Sequence, residues 1–154
     1  MAIPATVSEF LAGKRIAVTG VSRNRRHFAN AIYRKLQASG HEVFPVNPRA
    51  TEVEGVRCYP DVGAIDGPLD GVLVASPPAA SLVLVRQSAD RGVSRIWFHR
   101  SFGAGSVSAE AVRECGARGM SCIVGGCPMM YVAPADPAHR GMRWLLRRWG
   151  RVPG

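Results

Sequence analysis

Lysine is nearly missing from this chain. Among 154 residues only Lys14 and Lys35 carry an ammonium group, so almost all of the +9 net charge is arginine. Aromatic residues are few, at 7%. No apolar run is long enough to cross a bilayer, because the longest one, Gly71 to Val85, is interrupted at Pro77-Pro78. The first thirteen residues include Glu9 and no basic stretch, which argues against a secretory leader. None of the four cysteines forms a C-x-x-C pair, so the expectation is free thiols in a reducing cytoplasm. Cys115, Cys122, Cys127 and His139 lack metal-ligand spacing, and no metal is expected. G-x-S-x-G, H-E-x-x-H and Walker signatures are also absent, which leaves catalysis weakly supported.

What the chain does contain is apolar material, 47% of it, in a length suited to one domain. Five arginines and no acid fall in residues 137–154, so over half of the net charge is concentrated at the C-terminal end. Arginine excess reads first as a solvated surface. Guanidinium forks also suit an anionic partner.

Strand and helix patterns alternate along the chain. Arg15 to Thr19 reads as a strand ending at Gly20. Helical spacing follows in Phe28, Ala31, Ile32 and Leu36, with Gly40 as the stop. Glu42 to Val46 is a second strand, and Val56 to Tyr59 a short edge-like run. Strands at Val72–Ala75, Arg95–Phe98 and Cys122–Val124 alternate with helices at Ala80–Arg91 and Ala109–Arg118. Continuous apolar strands between helices predict a Rossmann-like doubly wound parallel sheet, in the order 3-2-1-4-5-6. From Pro137 to Trp149, Met142, Leu145, Leu146 and Trp149 form the apolar stripe of a C-terminal amphipathic helix. It reads best as packed on its own domain, with membrane or nucleic-acid contact less favoured. An exposed Trp144 or Trp149 would point to a homodimer. The chain is thus read as one domain over 1–154, with a core of about 13–130.

In such sheets ligands bind beyond the carboxyl ends of the strands, where the strand order reverses. The loop there reads Gly20-Val21-Ser22-Arg23-Asn24-Arg25-Arg26 and opens a helix, whose N-terminal N–H groups favour phosphate. The Ser22 hydroxyl and the arginines would add to that. G-x-G-x-x-G is not present, since Ser22 and Arg25 replace two of its glycines. An NAD site expects an acid after the second strand. Here Asn47-Pro48-Arg49 stands instead, which favours a phosphate-rich nucleotide over plain NAD. Ser76-Pro77-Pro78 makes a rigid, donor-poor wall opposite.

These segments, with Val43 to Arg49, Gly55 to Pro60, Ile96-Trp97-Phe98 and Cys127-Pro128, resemble the small single-domain CoA-binding proteins. That family is similar in turn to the CoA-binding domain of the succinyl-CoA synthetase alpha subunit. The resemblance implies that coenzyme A is the ligand. Gly20, Val21, Ser22, Arg23, Asn24 and Arg25 would then line the pyrophosphate, and Asn47, Pro48 and Arg49 the 3′-phosphate end. Ser76, Pro77 and Pro78, with Phe98, His99 and Arg100, would form the wall along which pantetheine runs. Trp97-Phe98-His99-Arg100 departs from the family's usual W-x-Q followed by glycine. The expected function is a cytoplasmic CoA or acyl-CoA binding protein, a sensor or carrier without catalysis. The alternatives are an NADP-binding or redox-sensing protein that uses Cys127, and an interaction module acting through the basic tail helix. An acid–base pair of His99 with Asp136 or His139, and His27 near the phosphate, complete the expectations.

Overall fold

The structure is a computed structural model, and it describes residues 2–153. Five strands build one parallel sheet: β1 (Arg15–Thr19), β2 (Glu42–Val46), β5 (Gly71–Val74), β6 (Arg95–Phe98) and β7 (Ser121–Val124). Their order across the sheet is β2-β1-β5-β6-β7. Successive strand residues point to opposite faces, and both faces are covered. Ile16, Val18, Leu73, Trp97 and Ile123 enter one core with helices α1 (Ala5–Ala12), α2 (Phe28–Ala38) and α5 (Pro137–Arg148). Ala17, Val72, Val74, Ile96 and Phe98 enter the other with α3 (Ser81–Asp90) and α4 (Ala109–Ala117). That double burial is why the strands lack polar alternation. The Rossmann-like expectation holds, C-terminal helix included.

The outermost expected strand is reduced. Val56 joins a separate hairpin of β3 (Glu52–Val53) and β4 (Val56–Arg57), turned at Glu54-Gly55 with φ of 51° and 73°. Only Tyr59 reaches the sheet, through a single parallel bridge to Val46. The third position of the 3-2-1-4-5-6 order is therefore occupied by one bridge rather than a strand. A tight hairpin satisfies these backbone groups locally and leaves too little chain for a ladder.

Two further differences concern elements without a clear signal. Helix α1 has no counterpart in the sequence reading, yet its Val7 and Phe10 are buried and Phe10 meets Trp97 edge-on at 5.4 Å. The expectation of four free thiols fails for two: Cys115, at the end of α4, is disulfide-bonded to Cys122 in β7. Helix and strand bring the pair together, with Cα atoms 6.5 Å apart, across a seven-residue separation that no spacing motif marks. Among the described residues no helix is long and apolar enough to cross a membrane.

In α5 the apolar stripe is only partly used. Leu146 is fully buried and Met142 packs on the same core, whereas Trp144 and Trp149 are more than half exposed. After the helix the chain turns back, with the Arg151 amide donating to the Leu146 carbonyl at 3.0 Å and Val152 buried. Truncating Leu146→Ala should cost about 2–4 kcal/mol of stability, read by urea unfolding. Trp149→Ala should stay within about 0.5 kcal/mol.

Candidate functional site

The sheet reverses its winding between β1 and β5, and the crevice opens above their carboxyl ends. Gly20 makes the exit from β1 possible. Its φ is +84°, and a Cβ there would lie 2.5 Å from the Ala75 carbonyl oxygen, so the two loops touch backbone to backbone. The buried Thr19 hydroxyl joins them further: it accepts from the Ala75 amide at 3.2 Å and lies 2.9 Å from the Ser76 hydroxyl.

The loop from Gly20 to His27 is held largely by its own polar groups. Asn30, fully buried in α2, accepts from the Ser22 amide at 2.9 Å and donates to the Ser22 carbonyl at 2.7 Å. The Ser22 hydroxyl donates to the Asn24 carbonyl at 3.2 Å and accepts from the Asn24 amide at 3.1 Å. It shapes the loop rather than pointing a free hydroxyl at a ligand. Asn24 Oδ1 accepts from the Arg26 amide, and His27 caps α2 by accepting from the Ala29 amide at 3.3 Å. The amides of Val21, Arg23, Arg25 and Phe28 find no acceptor among the described residues. Arg23, Arg26 and Arg49 have no ion-pair partner there either.

Glu54 is a member of this site that sequence reasoning missed. Its side chain, only 4% exposed, receives Asn30 Nδ2 at 2.9 Å and Arg34 at 2.6 Å, and pairs with Arg25 at 3.3 Å. Burial pushes its carboxyl up, but the Asn30 hydrogen bond and the Arg34 and Arg25 charges outweigh that and hold it below the usual range. One of the loop's arginines is thereby neutralised. The available signal was the Glu-Gly hairpin turn, which aims Glu54 back at α2. Between hairpin and loop lies a groove of about 330 Å³, lined by Arg23, Arg25 and Glu52 to Gly55.

The remaining candidates divide. Asn47 donates to the Val21 carbonyl at 3.0 Å and accepts from the Arg49 amide at 2.9 Å, which sets the β2 exit beside the first loop and leaves Arg49 exposed. Pro48 and Pro77 are exposed, with Pro78 half-buried. Val21 and Phe98 are fully buried, so neither side chain is open to a ligand. His99 is buried as well, stacked on the exposed Phe28 with ring centroids 4.8 Å apart. Burial pushes its imidazole down to about 4.

The expected catalytic pairs do not form. Asp136 and His139 partner each other at 2.6 Å at the start of α5, while His99 faces Phe28. Cys127 is buried, and its thiol is pushed up to about 12, chiefly by that burial. A buried, protonated thiol is a poor redox sensor.

Residues 14–133 match the CoA binding domain family, and the chain belongs to it. Over 61 residues it is 39% identical to the uncharacterized protein YneT of Bacillus subtilis, spanning 40% of this chain and 45% of that one. Over 106 residues it is 28% identical to the alpha subunit of the ADP-forming acetate–CoA ligase II of Pyrococcus furiosus, which is 68% of this chain and 23% of the subunit. The chain thus matches less than half the length of either relative. Among solved structures, Prb, the PH1109 protein redesigned for binding, superposes with a TM-score of 0.76 at 26% identity, covering 95% of this chain and 94% of that one. The dinucleotide-forming acetyl-coenzyme A synthetase 1 of Ca. Korarchaeum cryptofilum gives 0.63 at 27% identity, covering 73% of this chain and 26% of the synthetase.

Two outcomes test this geometry. Asn30→Ala strands the Ser22 amide and carbonyl and removes one of the Glu54 carboxylate's three partners, and should cost about 2–4 kcal/mol in chemical unfolding. The second concerns pH. Unfolded, the His99 ring takes up a proton below about pH 6.5, whereas in the folded protein it stays neutral to about pH 4. This contribution is therefore complete above pH 6.5 and drains as pH falls to 4, by about 1.4 kcal/mol per unit and of the order of 3 kcal/mol in all. His99→Gln should flatten that part of the stability–pH curve relative to wild type.

Proposed function

We propose that this chain binds coenzyme A or an acyl-CoA in the crevice above β1 and β5, and acts as a carrier or sensor of CoA rather than as a catalyst. The observation that carries the reading is the loop at the start of α2. Its unpaired amides stand among Arg23, Arg26 and Arg49, which have no acidic partner among the described residues. A pyrophosphate supplies the acceptors that such a loop lacks. Membership of the CoA binding domain family supports the same ligand.

Within Gly20 to Arg25, the free amides of Arg23 and Arg25 would hold the pyrophosphate, and exposed Arg49 would take the 3′-phosphate. The groove between Arg23 and the Glu54 hairpin has room for part of the nucleotide. Ser76 to Pro78 and the Phe28–His99 stack would flank pantetheine with mostly apolar surface. The protonated Cys127 thiol and the neutral, unpaired His99 supply neither nucleophile nor acid–base couple, which supports binding without turnover. Ligation of acetate to CoA belongs to the relatives, and this chain matches only 23% of one such subunit.

Calorimetric titration with CoA, 3′-dephospho-CoA, NAD and NADP in parallel tests the reading. CoA should bind, and loss of its 3′-phosphate should weaken binding about tenfold or more, as expected for a charge-assisted hydrogen bond. Arg49→Ala should narrow that gap without altering the thermal midpoint. NADP binding as tightly as CoA would replace the assignment.

A further inference from the structure

Four buried side-chain nitrogen and oxygen atoms find no hydrogen-bond partner among the described residues: His99 Nδ1, Arg100 Nε, Tyr131 Oη and Arg151 Nε. Such orphans are uncommon, and each asks for a missing partner. All four belong to the loops after β6 and β7 or to the tail behind α5, and three of them are on groups that donate hydrogen bonds.

The fold assembles Arg100 and Arg151 deliberately from distant segments. Arg100 continues β6, and its amide donates to the Gly126 carbonyl at 3.0 Å. The segment from Ser101 to Gly105 closes over it, where a Cβ on Gly105 would strike the Arg100 backbone at 2.6 Å. Arg151 arrives from the other side on the returning tail. Its carbonyl packs where a Gly125 side chain would be, a point 3.4 Å from an Arg100 guanidinium nitrogen. One arm of its guanidinium donates to the Gly103 carbonyl at 2.7 Å. Burial and the neighbouring Arg151 charge both push the Arg100 guanidinium down from its ordinary value. No carboxylate among the described residues pairs with either arginine.

We infer that Arg100 and Arg151 form a seat for one oxyanion, a carboxylate or phosphate group, on the β6–β7 side of the crevice. Two half-buried guanidinium groups within electrostatic reach of each other are costly without a counter-charge, and fork-shaped donors fit a planar or tetrahedral oxyanion. Strands in a sheet lie about 4.8 Å apart, so β6 is about 10 Å across the edge from β1. If CoA lies with its pyrophosphate at β1, as proposed above, its thioester end is directed toward this seat. A carboxylate at the far end of the acyl chain is then one source of the anion. Free inorganic phosphate is the other.

The experiment compares valeryl-CoA with glutaryl-CoA, equal-length thioesters ending in a methyl or a carboxylate, alongside CoA and inorganic phosphate. Each is titrated into the full chain, with thermal unfolding at constant ionic strength as a second reading. Glutaryl-CoA should bind about tenfold more tightly than valeryl-CoA. Arg151→Gln should erase that difference while leaving CoA affinity within about twofold, and Arg151→Lys should restore part of it. Circular dichroism checks that each variant is folded. Stabilisation by phosphate that disappears in Arg151→Gln supports the seat with a free anion as its source. CoA binding with equal thioester affinities and no phosphate effect overturns the seat and leaves the CoA reading intact. Arg151-dependent phosphate binding with no CoA binding overturns the CoA reading alone, and silence from every compound overturns both.

Discussion

The carboxamide of Asn30 grips both the amide and the carbonyl of Ser22, and the rest of the crevice edge is arranged around that grip. It fixes the loop after β1 against α2 from inside the protein, where water cannot compete. The remaining amide hydrogen reaches Glu54, which draws the β3–β4 hairpin over the loop and gathers Arg25 and Arg34. A glycine-rich phosphate loop gets its shape from conformational freedom. This loop is instead cross-braced by side chains, which explains how Ser22 and Arg25 can occupy positions where glycines are usual in such loops.

The same economy governs the crevice floor. The Gly20–Ala75 approach and the Thr19 hydroxyl bind the exits of β1 and β5 into one rigid unit. The Ser106 hydroxyl, which donates to the Ser76 carbonyl at 2.5 Å, adds the loop after β6. Across the sheet, a ligand would meet exposed arginines on the β1–β2 side and a proline and aromatic wall in the middle. Beyond that wall lie Arg100 and Arg151, half-buried without a counter-charge among the described residues. On the proposed reading, cationic groups on either side of this wall suit a ligand that is long, flexible in its middle and anionic at one or both ends.

Much of this was legible before folding was considered. The apolar strands, the glycine stops and the Pro-Val-Asn-Pro-Arg segment located the sheet and the crevice, because each reports a local backbone requirement. Legibility failed wherever a residue's role came from a distant partner. Glu54 looks like hairpin surface until the hairpin folds onto Asn30. Val21 lies in the first loop and Phe98 ends β6 beside the candidate wall, yet both side chains pack into the core. Cys115 and Cys122 carry no spacing signal, since an intervening turn brings them together. Helix α1 hides because it is only eight residues long, and contact with Trp97 shows what Phe10 is for.

Sequence alone determined the class of fold, the strand that opens the crevice and the cationic character of the loop beside it. These follow from periodicity, from backbone conformation and from the fixed charge of arginine, all of which are set within a few neighbouring residues. Tertiary structure alone decided which polar groups are already satisfied and which remain open. It used the Ser22 hydroxyl within the loop, neutralised Arg25, buried the Cys127 thiol and carried Arg151 from the tail to Arg100. Hydrogen-bond satisfaction and desolvation depend on what packs against a group in space, and the order of residues along the chain does not contain that.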